Sequence, residues 1–163
     1  MVDTTGAATG ERRSERLELR VPASRTHLPA VRAMAGDLAM RMDFDLDAVE
    51  DLRLAVDEAS ATLASIALPG TPLTVVFEAA PGGLHIDAWV PTAPGTEVPR
   101  DGFGWAVLAT LVDSVDSGRS TQAEVPAGDG SDGAVAVISL DKDLPGPLDR
   151  SAGEAGADLS VAR

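Results

Sequence analysis

Apolar positions recur along the chain in two rhythms, and the switches between them lay out the elements. Leu17, Leu19 and Val21 alternate with Glu18 and Arg20, as in a half-buried strand that Pro22 ends. Leu28, Val31, Ala35, Leu38 and Met42 follow at spacings of three and four, which predicts a helix over residues 25–42. Ser24 or Thr26 can cap it, and Pro29 is tolerable only in its first turn. After the break at Asp43-Phe44-Asp45, the same spacing links Val49, Leu52, Val56, Ala59, Leu63 and Ile66, the strongest periodic signal in the chain. Asp47 with Glu50 three residues on resembles a capping box, and Pro69-Gly70 stops this second helix.

Period two then returns. Leu73, Val75, Phe77 and Ala79 form one alternating set and Leu84, Ile86, Ala88 and Val90 another, joined by Pro81-Gly82-Gly83 as a hairpin. Residues 91–100 lack an apolar period and read as a loop. Gly102-Phe103-Gly104-Trp105 leads into a short helix through Ala106, Val107, Leu108, Leu111 and Val112. Residues 117–132 read as a polar loop and 134–140 as a last strand, so that one or two strands close the chain. Strands bunched beside helices in this order predict an α+β two-layer sandwich, with a mixed or antiparallel sheet covered by helices on one face. The folded unit spans residues 15–144; the aperiodic stretches 1–14 and 145–163, rich in Gly, Ala and charge, read as disordered tails.

Charge narrows the function. The formal net charge is -13, so the phosphate attraction on which nucleic-acid binding rests has no counterpart; such charge either steers a basic protein partner inward or is simply a solvated acidic surface. There is no cysteine, hence no disulfide, thiolate metal site or cysteine nucleophile. The two histidines, His27 and His85, have no ligand spacing and read as structural or surface residues. No apolar run is long enough to cross a bilayer, and Glu11, Arg12, Arg13 and Glu15 stand where a signal peptide would be apolar, so a cytoplasmic protein without membrane or nucleic-acid contact is expected.

Two sets of residues are candidates for chemistry. Asp51, Glu58 and Thr62 fall on nearly one face of the second helix, flanking its buried stripe, where a carboxylate is either a general base or a solvated surface group. Gly102 and Gly104 open the third helix, where backbone N–H groups and the dipole favour an anion; a flexible turn is the plainer reading. Neither a Walker loop nor a dinucleotide fingerprint is present. Trp89 and Trp105 read as packing residues.

The run from Phe44 to Ala59, with Leu52-Arg53-Leu54-Ala55-Val56-Asp57-Glu58-Ala59 as its most specific part, resembles the N-box helix of RsbW-like anti-sigma factors. These belong to the superfamily of histidine-kinase and gyrase ATPase domains, and the resemblance is nearest to actinobacterial proteins that restrain a SigF-type sigma factor. It continues through Ser65-Ile66-Ala67-Leu68-Pro69, the hairpin, and Gly102 to Leu108 with Val112-Asp113-Ser114-Val115 behind it, covering residues 16–140 in element order. The resemblance implies an anti-sigma factor whose partners are a sigma factor and an anti-anti-sigma factor, and which dimerises as family members commonly do. It also implies Mg-ATP or ADP as cofactor, with Glu58 as the helix carboxylate near the attacking group and Gly102 and Gly104 beside the phosphates.

Two departures argue for a degenerate nucleotide site, with the cofactor weakly bound or absent and no dedicated metal ligand. Thr62 stands where the family has a magnesium-positioning asparagine, and Pro91-Thr92-Ala93-Pro94-Gly95 replaces the Asp-x-Gly-x-Gly run that reads adenine. Loss of one hydrogen bond to a charged acceptor costs about 1.5–3 kcal/mol, roughly tenfold to a hundredfold in affinity. Loss of the metal-positioning amide harms phosphoryl transfer more than binding. The alternative, carried by Glu58 and the paired glycines, is an active serine protein kinase acting on the anti-anti-sigma partner. A third reading, a sensor domain for another ligand, rests on the altered loop 91–100 alone.

Overall fold

A computed structural model describes residues 14–145. The tails expected at 1–14 and 145–163 therefore fall, apart from Ser14 and Pro145, outside the described residues. The elements run β1 (Glu15–Pro22), α1 (Leu28–Arg41), α2 (Leu46–Ile66), β2 (Pro72–Ala80), β3 (Gly83–Pro91), α3 (Phe103–Leu111), β4 (Ser114–Thr121) and β5 (Ala134–Asp143). The strands form one sheet in the order β1-β2-β3-β5-β4. Every neighbouring pair is antiparallel, which resolves the expected mixed or antiparallel sheet.

The helices share one face of the sheet. α1 lies over β1 and β2, α2 crosses β2, β3 and β5, and α3 sits beside β4 and against α2. Along α2 the periodic residues Val49, Leu52, Val56, Ala59 and Leu63 are buried, as their spacing predicts. They meet Val75 and Phe77 of β2, Ile86, Ala88 and Val90 of β3, and Ile138 and Leu140 of β5 in one continuous core. Leu52 and Leu63 are fully buried, and each such side chain contributes about 1.5–3 kcal/mol of transfer free energy. α2 ends where Ala67 turns extended, two residues ahead of a proline that could not continue the helix.

Local chemistry differs from the sequence expectation at three places. The N-cap of α2 is Asp45, whose Oδ1 accepts from the Ala48 amide at 2.8 Å, so the cap lies two residues before Asp47. α1 begins at Leu28 rather than residue 25, with His27 at the N-cap and no side-chain cap; the Ser24 hydroxyl is spent on His27 Nδ1 at 2.8 Å, and Pro29 occupies the first turn. Residues 114–121, the last five expected in a polar loop, form edge strand β4. It carries one bulky apolar residue, Val115, and among the described residues no strand pairs with its outer edge, so no apolar alternation marks it.

The outer face of the sheet is partly covered as well. Trp89, Val135 and Val125 form a small second core there. Val125 belongs to segment 122–131, which links β4 to β5 and folds back over the sheet. Beside this patch His85 bridges strands, with Nδ1 2.6 Å from Asp141 and Nε2 3.1 Å from Asp87, while Asp87 accepts from the Ser139 hydroxyl. Burial disfavours the charged imidazole, but the Asp141 hydrogen bond and the Asp87 charge outweigh it and raise the His85 pKa above its ordinary 6.5.

Candidate functional site

α2 brings its polar face to two neighbouring elements, β5 and α3. Near its start, Asp51 pairs with Lys142 of β5 at 3.5 Å, and the same ammonium donates to the Leu111 carbonyl at 2.9 Å. A cation at the C-terminal end of α3 answers its free carbonyls and the negative end of its dipole. Lys142 thus ties α2, α3 and β5 together from a side chain only 15% exposed. At the far end, Thr62 gives its backbone carbonyl to the Ser65 hydroxyl at 2.7 Å. Asp51, Glu58 and Thr62 share a helix face without converging on one point.

Glu58, two turns beyond Asp51, is the residue the fold brings to the expected glycines. A Cβ built on Gly104 would lie 2.0 Å from Glu58 Oε1 and 2.9 Å from its Cδ, so the carboxylate rests against the backbone of the first turn of α3. Only a residue without a side chain permits that approach. The first amides of a helix are unpaired within it and favour negative charge, so Glu58 stands as an internal anion where a bound one would be drawn. Gly102 differs: it is the N-cap of α3 in extended conformation, and a Cβ there would meet nothing within 4 Å. The two glycines therefore have separate roles, close packing at Gly104 and an open turn at Gly102.

The loop after β3 begins as an extension of the sheet, with the Thr92 amide donating to the Ala134 carbonyl at 2.9 Å. Further along, Val98 is 8% exposed and belongs to the main core. Arg100 then fastens the loop to β4. Its guanidinium donates to Ser117 Oγ at 2.8 Å, to Asp116 at 3.0 Å and to the Ser117 carbonyl, and stacks 5.1 Å from the centroid of Trp105. Between loop and β4 lies an open cavity of about 460 Å³, lined on one side by residues 97–101 and on the other by Ser117, Gly118 and Arg119. Phe103, between the two glycines, is 85% exposed.

Glu58, Gly102 and Gly104 are the candidates the sequence singles out, and the structure adds Val98, Arg100 and Lys142 around them. Val98 and Arg100 had weak signals, a lone branched aliphatic residue and a lone cation in an otherwise neutral or acidic loop. Lys142 had none, since its role depends on strand order. Among the described residues no group of three or more His, Asp or Glu is placed to hold a metal ion, and no helix is long and apolar enough to cross a membrane.

Residues 21–126 match the family described as "Histidine kinase-like ATPase domain". The chain is 34% identical to the anti-sigma-F factor RsbW of Mycobacterium tuberculosis over 72% of this chain and 70% of that protein. It is 25% identical to the serine-protein kinase RsbW of Bacillus cereus over 63% of this chain and 77% of that one.

Proposed function

The chain belongs to the histidine kinase-like ATPase family, on its RsbW-like anti-sigma branch, and from that premise we propose that its domain at 15–144 captures a SigF-type sigma factor in the cytoplasm. Capture keeps the sigma factor from RNA polymerase and represses transcription from its promoters. The observation that carries this reading is the 34% identity to an anti-sigma-F factor across most of both chains. The acidic net charge of -13 supports it, because a sigma factor bears basic DNA-reading surfaces toward which an acidic protein is steered. Charge alone would give a promiscuous complex that salt dissolves, so selectivity must come from an apolar patch packed within the interface.

In this reading the nucleotide site is degenerate. The residues in place do not fit Mg-ATP. Thr62 offers no amide to position the metal, the run Pro91 to Gly95 directly after β3 holds no carboxylate to read adenine, and Val98 is buried in the core from the loop that would border the base. Glu58 already rests against the first turn of α3. α2 and α3 then act as a fixed surface, held by Lys142 and by the Glu58–Gly104 contact. Release of the sigma factor falls to a competing anti-anti-sigma partner.

The second reading, a serine protein kinase, is favoured by the carboxylate of Glu58 at the start of α3 and by the 25% identity to a serine-protein kinase. Binding measurements separate the two. The purified chain should bind one SigF-type factor at submicromolar concentration, with and without nucleotide, weaken only partly from low to physiological salt, and lower transcription from that factor's promoters. Titration calorimetry with Mg-ATP should show weak or no heat. Micromolar ATP affinity with phosphate transfer that Glu58→Ala abolishes would establish the kinase instead, and failure to bind any sigma factor of its own organism at micromolar concentration would remove the capture reading.

A further inference from the structure

The second core on the outer face of the sheet has no part in the capture reading. Trp89 and Val135 are buried there, at 2% and 0% exposure, by segment 122–131 rather than by another sheet or a helix. The segment holds the face through three contacts. Val125 packs in the cluster with Trp89 and Val135, the Pro126 carbonyl accepts from Trp89 Nε1 at 2.9 Å, and the Ala127 carbonyl accepts from the Arg20 guanidinium. An indole N–H donated to the carbonyl of a proline, beside an aliphatic side chain, is the chemistry by which aromatic grooves take extended proline-bearing peptides.

Two features mark the segment as an imperfect occupant. Thr74 lies directly across from Trp89 in the β2–β3 register, is fully buried, and its Oγ1 has no hydrogen-bond partner. A buried hydroxyl left unpaired is a penalty that a better-fitting occupant would remove. Ala127, whose carbonyl reaches Arg20, holds a φ of 60°, a left-handed conformation that disfavours any residue with a Cβ.

We propose that this face is a docking groove for an extended segment of a partner protein in which an aliphatic residue precedes proline, and that 122–131 is an autoinhibitory strap lying in it. The incoming segment takes the place of Val125 against Trp89 and Val135. It offers its prolyl carbonyl to Trp89 Nε1 and the next carbonyl to Arg20, and brings a backbone polar group to Thr74. The groove lies across the sheet from the helix layer, so this inference stands or falls independently of sigma capture.

The probe is the capped hexapeptide Ala-Glu-Val-Pro-Ala-Gly, the sequence of residues 123–128. The chain has two tryptophans and no tyrosine, so in a Trp105→Phe background the emission reports Trp89 alone. Adding Val125→Ala removes the anchor of the strap with little risk to the fold. The peptide should then give a saturable change in emission, with a Kd at least roughly tenfold below that of the chain with Val125 intact, and a Val-to-Asp peptide should bind neither. In the unaltered chain, millimolar peptide should move the Trp89 indole resonance together with the amides of 122–131. Absence of saturable binding by both measurements, with the circular dichroism of a folded protein, would show the segment to be a permanent cover. Equal affinity with and without Val125→Ala would place the peptide elsewhere and also overturn the proposal.

Discussion

Gly104→Ala sets a steric cost against a gain in helix propensity, and Glu58 decides the balance. The added methyl would meet Glu58 Oε1 at 2.0 Å and Cδ at 2.9 Å, while Cγ stays at an ordinary 3.5 Å. Only the carboxylate end has to move. Forcing it off its rotamer costs about 0.5–1.5 kcal/mol, and withdrawing it from the start of α3 forfeits about 0.3–1 kcal/mol of charge–dipole attraction. Removing a glycine from a helix recovers up to about 1 kcal/mol, less in the first turn, where Gly104 sits. Alone, the substitution should therefore cost about 0–2 kcal/mol. In a Glu58→Ala background nothing obstructs the methyl, and the same change should be neutral or stabilising by up to about 1 kcal/mol. Urea unfolding of the four proteins of the cycle, followed by circular dichroism, should give a coupling energy of about 1–2 kcal/mol, well above the scatter of independent sites. Additive effects, or a loss above about 3 kcal/mol in both backgrounds, would show that the backbone of α3 and not the Glu58 side chain limits this position.

Three further outcomes are expected. Leu63→Ala, at a fully buried position of α2, should cost about 2–5 kcal/mol in the same assay, and a loss under about 1 kcal/mol would contradict the placement of α2 over the sheet. His85 has a folded pKa raised above 6.5, so its contribution is complete below pH 6.5 and is lost as pH rises through the folded value; the stability difference between parent and His85→Gln should shrink across that window, and a pH-independent difference would refute the pairing with Asp141 and Asp87. Arg100→Ala should speed amide exchange across residues 93–101, yet lower global stability by less than about 1 kcal/mol, because the guanidinium is half exposed; unchanged exchange would mean that Val98 alone holds the loop.

How far the sequence could be read follows from where each signal resides. The helices and the four apolar strands were legible because burial on one face imposes a period, and in α2 the buried stripe and the stop before Pro69 could be read while the cap fell two residues away. β4 was not, since an edge strand that buries little leaves no alternation to find. At the site, Glu58 and Gly104 were legible through the resemblance of the α2 run, but their contact was not, because it depends on how closely α3 approaches α2. The cap at Asp45 was missed for a local reason: Asp47 and Glu50 imitate a capping box two residues downstream. The strap was invisible in advance, since Val125-Pro126-Ala127 acquires its meaning only when folding sets it beside Trp89 and Arg20.

Among the described residues, an open sheet of this kind leaves two rows of backbone donors and acceptors without a neighbouring strand, one on β1 and one on β4. Such rows are where one molecule can template the next. Here β1 sets Glu15, Arg16, Glu18 and Arg20 along a short strand that Pro22 closes, and β4 offers only one bulky apolar side chain, Val115. A neighbouring chain arriving at either border meets fixed charge or a surface with nothing dry to hold. That disfavours fibrillar growth by lateral accretion at either border.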